Sequence, residues 1–464
     1  MTKTLLKALT LSFALFLFAA ASATAQINLI AKGTLSSSSA GLNKDLSGLN
    51  YTLENGVSAD LLGGFGSGIT QLTGDTFLAI PDRGPNAVSF NSLIDDTASF
   101  PARFHTIAMN LQPNSGSGLP FTISPELRDT TLLNSTSPLV YGSGNGLNVG
   151  SGVPPINRPS RHYFTGRSDN FDPNNSSQDS SDARLDPESI RVSNDGLFVF
   201  VSDEYGPYVY QFHRFSGQRI RTFRLPDEFF VANPAPTGNG EVAANLSGRT
   251  PNKGMEGIAI TPDGRTLVGF LQAATIQDNL LGAPASSLLR FVTIDTATGK
   301  TTHEFAYLLT TGSGVSEVTA LNDHEFLVDE RDGKGLGDGS KAKVKQIFKI
   351  DLTNATDVAG LDGLHAAALA VPKTLFLDVV KVLTANGFST DQIPAKLEGL
   401  SFGPDVQLNG QTVHTLWLAN DNDFLQDLNG PNTNPNQFFV FGVSDADLGG
   451  SVYVPQDHSH FIGN

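Results

Sequence analysis

The chain has 464 residues, 30 Lys and Arg against 46 Asp and Glu, and a formal net charge of −16. That balance argues against nucleic acid or an anionic membrane as partner and suits the binding of cations. There is no cysteine, so disulfides, thiolate chemistry and a Cys-ligated zinc site are excluded.

The N-terminus reads as an export leader. Lys3 and Lys7 precede an apolar run from Leu9 to Ala21, and Ala23-Thr24-Ala25 fits the small-x-small cleavage rule. Cleavage before Gln26 makes residues 1–25 a signal peptide and 26–464 one mature domain, secreted or periplasmic. No later stretch approaches the ~20 apolar residues of a membrane span. Asn-x-Ser/Thr sequons stand at Asn134, Asn174, Asn175, Asn245 and Asn354, and matter only if the source glycosylates.

Helical periodicity is scarce beyond Leu375 to Asn386, a segment that equally starts as a strand. Short β-branched and aromatic runs punctuated by Gly, Asp, Asn and Pro predict many short strands. Five copies of one hairpin pattern recur 61 to 121 residues apart, starting at Ser67, Glu188, Glu256, Glu317 and Glu398. Each is a short apolar strand, a turn and a second apolar strand, as in Glu256-Gly-Ile-Ala-Ile-Thr-Pro-Asp263-Gly264. The spacing from first acid to turn Asp is seven residues in three copies and six in the one at Glu317. Further strand candidates follow each copy, so the expected fold is all-β: a single β-propeller of five to six four-stranded blades. Ile27 to Thr34 with Tyr51 to Leu62 supplies a sixth blade, or the N-terminal strand closes the last one. A Gly/Ser/Asn/Pro-rich insertion at about 135–184, carrying Arg158, Arg161, His162 and Arg167, is either a surface loop or a lid over the channel mouth.

In an antiparallel hairpin the start of one strand lies beside the end of the next. Ser67, Glu188, Glu256, Glu317 and Glu398 therefore share one end with Asp82-Arg83, Asp203-Glu204, Gln272, Asp329-Glu330-Arg331 and Asp421-Asn422-Asp423. The turn acids Asp195, Asp263, Asp323 and Asp405 fall at the other end, as turn formers. With the first strand innermost, carboxylates ring one mouth and repel one another unless protonated or bound to cations. The expected metal ligands are Glu188, Asp203, Glu204, Glu256, Glu317, Asp329, Glu398 and Asp421, and an all-oxygen set outside a cell points to Ca²⁺. The acidic runs Asp332 to Asp338 and Asp421 to Asp427 are weaker candidates. Arg83, Arg331 and Lys253 suit an anionic group; Glu256, Glu330 and Arg331 are the candidate catalytic residues. The competing structural reading makes the glutamates blade-packing groups and the arginines their neutralising partners.

Asp186-Pro187-Glu188, Ser202-Asp203-Glu204-Tyr205-Gly206-Pro207, Asn252-Lys253-Gly254-Met255-Glu256-Gly257 and Asp329-Glu330-Arg331-Asp332-Gly333 resemble the signature stretches of the phytase-like domain, described as having esterase-like activity. The likeness runs from about Ser67 to Phe441. It implies a propeller and a hydrolase of phosphoric or other esters; Ser67, where the other repeats have Glu, departs from the repeat pattern. No Gly-x-Ser-x-Gly elbow and no His-Glu-x-x-His is present. Gly142 to Gly146 is Gly-rich without a following helix. His105, His162 and His213 are isolated candidates for a general base. The readings carried forward are a Ca²⁺-dependent hydrolase of small anionic esters and a non-catalytic extracellular binding propeller with structural Ca²⁺. A sugar-lactone hydrolase is a third, by fold analogy alone.

Overall fold

The structure is a computed structural model that describes residues 26–35, 43–142, 146–310, 312–459 and 461. The expected leader lies outside the described residues, as does most of the Gly142 to Gly146 loop. Five four-stranded antiparallel sheets form the body. Their innermost strands are Gly68–Thr73, Pro187–Val192, Met255–Ile260, Gly314–Ala320 and Lys396–Leu408. Each touches the next and the fifth returns to the first, closing a five-blade propeller.

The strand Asn28–Leu35 pairs antiparallel with Asn436–Val443 and becomes the fourth strand of the last blade. Tyr51 to Leu62 makes only the isolated bridges Lys44–Leu61 and Thr52–Ser58, so the described residues form no sixth blade. The periodic segment after Leu375 is both of its alternatives. It runs as the strand Lys373–Asp378 and then as the helix Val379–Ala385, capped where Asp378 accepts from Lys381 N.

The inner strands carry bulges at equivalent places: between Pro187 and Ile190, Met255 and Ile258, Val315 and Glu317, and Leu397 and Leu400. Small residues at the bulges let neighbouring strands approach the axis closely. A Cβ on Gly257 would stand 2.8 Å from Glu317 Cα, so no larger residue fits there without moving the backbone.

The axis itself is filled by one side chain. Arg191, buried on the inner strand of blade 2, donates from Nη1 to Ile69 O (2.8 Å) and Ile190 O (2.7 Å). Its Nη2 donates to Val318 O (2.7 Å) and Leu400 O (3.2 Å) and pairs with Glu317 Oε1 at 3.1 Å. One guanidinium thus ties blades 1, 2, 4 and 5 together.

At the end opposite the acidic mouth the turn acids serve their own hairpins: Asp195 Oδ1 accepts from Leu197 N and Asp263 Oδ1 from Arg265 N. The C-terminal segment crosses that end. Tyr453 stacks on Phe402 at 4.2 Å, Val454 N donates to Leu321 O, Gln456 Nε2 to Val192 O and Asp457 N to Pro262 O.

The 135–184 insertion is packed rather than loose. Phe164 and Phe171 are fully buried. Buried Arg167 bonds Asp169, Glu54 and the carbonyls of Val149 and Gly150, which satisfies a segment that has almost no sheet of its own.

Candidate functional site

Glu188, Glu256 and Glu398 occupy the same place in their blades, the first residue of the bulge. Ser316 fills that place in blade 4, and Ser67, just before the regular strand Gly68–Thr73, is the matching repeat position in blade 1. Glu317 sits one residue further along, because its blade has a one-residue bulge at Ser316. The six-residue spacing in the fourth copy was the sign of this: Ser316 to Asp323 is seven, like the other copies. Glu317 therefore pairs with Arg191 inside the channel and takes hydrogen bonds from Ser189 Oγ, while burial pushes its carboxyl up to about 8. The mouth carries three ring glutamates, not four.

Two carboxylate groups form there. Oxygens of Asp186, Glu188 and Glu204 all lie within 4.8 Å of one another, as do those of Asp82, Asp421 and Asp423. The two groups differ in what neutralises them. In the second, Lys396 Nζ stands 2.8 Å from Asp421 Oδ2 and also binds Asp423, so this cluster holds an ammonium of its own. In the first, Arg83 binds the outer side of Asp186, with Nη1 at 2.6 Å from Oδ2 and the backbone N at 3.1 Å from Oδ1. Among the described residues neither Glu188 nor Glu204 has a cationic partner within ion-pair distance.

Burial followed by the charges of Glu256, Asp186 and Glu204 pushes Glu188 well above the carboxylate range. Burial and Asp186 push Glu204 up to about 7. Glu256 is raised by burial, then by Glu204 and Glu398. Glu204 and Glu256 stand close enough to share a proton, which helps to hold Glu204 down. Glu256 Oε1 accepts from Gln272 Nε2 at 2.7 Å. Among the described residues no cationic, amide or hydroxyl donor reaches Glu204 Oε1, Glu256 Oε2, Glu398 Oε2 or Asp329 Oδ2, all of them buried. Four unserved acceptors at one opening are a large departure from the usual satisfaction of buried polar groups.

The remaining expected residues are distributed as follows. Arg331 donates from Nε to Ser316 Oγ at 2.8 Å and from Nη2 to Glu398. Lys253 is exposed and donates to Gln272 Oε1 at 2.9 Å, one side chain from Glu256. Asp203 spends both oxygens on the backbone N–H groups of Asp186, Tyr205 and Gly206, so it shapes the Ser202–Pro207 loop. Asp329 lies on the channel side near Arg331, Lys345 and Glu398, with burial raising it strongly. Glu330, expected beside Glu256, faces the other way, since side chains alternate along a strand. It is fully buried and held by Tyr307 Oη, Thr310 N, Ser313 Oγ and Lys373 Nζ. Asp332 pairs with Lys345 at 2.6 Å, and Asp338 caps its own turn through Gly335 N and Ser340.

None of the candidate histidines is at the mouth groups. His105 is buried against Thr130 Oγ1, and burial pushes it down to about 4, a neutral core residue. His213 bonds Ser216, and His162 lies in the short strand His162–Tyr163.

Sequence reasoning placed Asp82 and Asp423 at this end, Asp423 within the weaker Asp421 to Asp427 candidate, and gave Asp186, Lys396 and Arg191 no role of their own. Asp186 and Lys396 stand two residues before Glu188 and Glu398. In an extended strand that places them on the same face, so the position two before the repeated acid was the available signal.

A family model described as "Phytase-like: Esterase-like activity of phytase" matches residues 60–424. An "Uncharacterized secreted protein" of Arthroderma benhamiae is 28% identical over 322 residues, 59% of this chain; the match spans 60% of that relative's length. Among solved structures, the Malassezia sympodialis allergen Mala s 1 aligns over 87% of this chain and 83% of its own, with 11% identity and a TM-score of 0.36. A luciferin-regenerating enzyme aligns over 91% and 98%, with 10% identity and a TM-score of 0.33. At that level of similarity no chemistry transfers.

Proposed function

The chain belongs to the phytase-like family, and from that premise we propose that it is an exported, Ca²⁺-dependent hydrolase of small anionic esters, phosphoric esters foremost. The observation that carries this reading is the triad of buried Asp186, half-buried Glu188 and buried Glu204, with Arg83 bound to Asp186. Export rests on the leader-like residues 1–25 and on the description of the fungal relative as secreted. Among the described residues no helix is long and apolar enough to cross a membrane.

The donor set fits a calcium ion: oxygen only, three carboxylates, two of them buried, with no cationic, amide or hydroxyl donor on Glu204 Oε1 among the described residues. Asp186, Glu188 and Glu204 would hold it, with Glu256 and Glu398 next to them. Asp82, Asp421 and Asp423 fit less well, because Lys396 already balances them. A divalent cation bound at the triad supplies Lewis-acid polarisation of the ester oxygens and lowers the pKa of a bound water.

The chain's own groups then have separate tasks. Arg83 is fixed by Asp186 and keeps Nε without an acceptor, so it can orient an ester oxygen. Arg331, anchored by Ser316 and Glu398, places a second guanidinium on the opposite side of the ring. Lys253 adds an exposed positive charge at the rim. Glu256, whose carboxyl is raised by burial and then by Glu204 and Glu398, is the group assigned to proton transfer. Glu330 takes no part; its oxygens are already spent.

Purified protein is tested against a panel of phosphoric and carboxylic esters with Ca²⁺ and with EGTA. Turnover that requires Ca²⁺ and falls in Glu256→Gln supports the proposal. No turnover of any ester by the calcium-loaded protein sinks it and leaves the non-catalytic binding propeller.

A further inference from the structure

Beside the acidic mouth lies a cleft of about 540 Å³ whose chemistry is different. Arg83 and Tyr205 form its border with the triad. Its far wall is the short helix Gly238–Ala244. Asp95 Oδ2 accepts from Gly238 N at 2.8 Å, which ties the blade 1 connection to that helix across the cleft. Asp95, Asp96 and Asn252 all line it, and all three hold left-handed backbone, with φ of 50°, 59° and 54°. Asp and Asn adopt that region more readily than other non-glycine residues, yet three around one cleft mark a shaped site.

The deep wall is cationic. Arg184, 3% exposed, lies over the rings of Phe171 and Tyr205 at 4.5 and 5.1 Å. Arg184 and Arg249 share the single carboxylate of Glu241, one at 3.8 Å and the other in direct contact. Among the described residues Glu241 is the one carboxylate within ion-pair distance of these two guanidinium groups, with Asp182 acting on Arg184 and Glu204 and Asp203 on Arg249 from further away. Arg184 Nη2 and Arg83 Nε are buried and have no acceptor. A buried donor left unserved is destabilising, and the loss is recovered when an acceptor arrives.

We propose that this cleft is a second binding site, for an oxyanion (a carboxylate or phosphate group) carried by the part of a ligand remote from the triad, with Arg184 as its donor. Planar guanidinium groups match both oxyanions. Asp95 and Asp96 at the rim restrict the deep site to a single anionic group. Asp96, Asn239 and Asn252 offer neutral or acceptor contacts to what surrounds it. The name substrate subsite rests on the ester-hydrolase reading; anion binding at Arg184 does not require turnover.

The test is calorimetric titration of EGTA-treated protein with inorganic phosphate and with acetate, glycerol serving as the uncharged comparison. Saturable binding of at least one anion, and not of glycerol, is expected. Asn239→Trp, which fills the cleft from an exposed position, and Arg184→Gln should each weaken it by at least about tenfold, or 1.4 kcal/mol. The tryptophan variant leaves the buried arginines in place, so it decides the matter if Arg184→Gln fails to fold. Absence of saturable anion binding overturns the proposal. So does binding that survives Asn239→Trp and disappears in Arg331→Gln, which puts the anion at the mouth instead. Turnover of the ester panel is measured separately: its absence removes the hydrolase reading and leaves the anion result standing.

Discussion

Withdrawing the cation should make this protein sensitive to rising pH. The cause is the carboxyl groups whose folded pKa lies above the unfolded value. Glu204 moves from an ordinary 4.5 to about 7 through burial and then Asp186, and Asp203 reaches about 6 through burial. A raised folded pKa gives stability that is whole below the unfolded pKa and lost as pH climbs through the folded one. For Glu204 alone that loss is about 3 kcal/mol between pH 4.5 and pH 8. Unfolding about 440 residues releases roughly 0.9 kcal/mol/K of entropy near 60 °C, so the loss corresponds to a Tm lower by about 3 °C. Bound Ca²⁺ takes the place of the protons, so the loss should vanish when it is present. The assay is thermal unfolding in EGTA and in excess Ca²⁺ at pH 4.5, 6 and 8. Tm in EGTA should fall across the series, and Ca²⁺ should restore it at pH 8 far more than at pH 4.5, where protons compete. A Tm in EGTA that is flat or rising from pH 4.5 to 8 refutes the reasoning, as does a Ca²⁺ effect largest at pH 4.5.

Replacing Arg331 by Ala should raise KM for an anionic ester several-fold with a smaller loss of kcat, as its proposed role of holding the anion requires; an unchanged KM with a lowered Tm would make it only a partner of Glu398. Arg191→Met should cost about 3–5 kcal/mol by stranding Glu317 and carbonyls from four blades, read as a Tm lower by about 3–5 °C; a shift under about 1 °C would show that the axis does not depend on it. Glu330→Gln should lower Tm while sparing kcat, and a turnover loss at unchanged stability would return Glu330 to the chemistry.

The parts of the fold that could be read from the sequence are the local ones. A hairpin such as Glu256 to Phe270 carries its own turn chemistry and alternation, so five copies announced the blades. Blade number was undecided because ring closure joins Asn28–Leu35 to Asn436–Val443, a pairing that no local pattern signals. The site was legible wherever repetition exposed it, as for Glu188, Glu256 and Glu398. It was misread at Glu317, where a bulge one residue shorter shifts the acid inward. Arg191 was hidden because Ser189-Ile-Arg-Val reads as an ordinary strand with one polar residue. Only the meeting of inner strands from four blades gives that residue its carbonyl partners.

The closing strand has a consequence for how the chain reaches this state. Synthesis delivers Asn28–Leu35 first and its partner some 400 residues later, roughly 20–80 s at ribosomal speeds. Through that interval the strand is an edge without a neighbour, carrying the apolar residues Leu29, Ile30 and Ala31 that end fully covered. The first four blades can form in order as they emerge, but the ring cannot. Any nascent chain stalled before Asn436 therefore presents a sticky strand and an open ring, and a holding factor that shields the N-terminal segment would raise the yield of closed molecules.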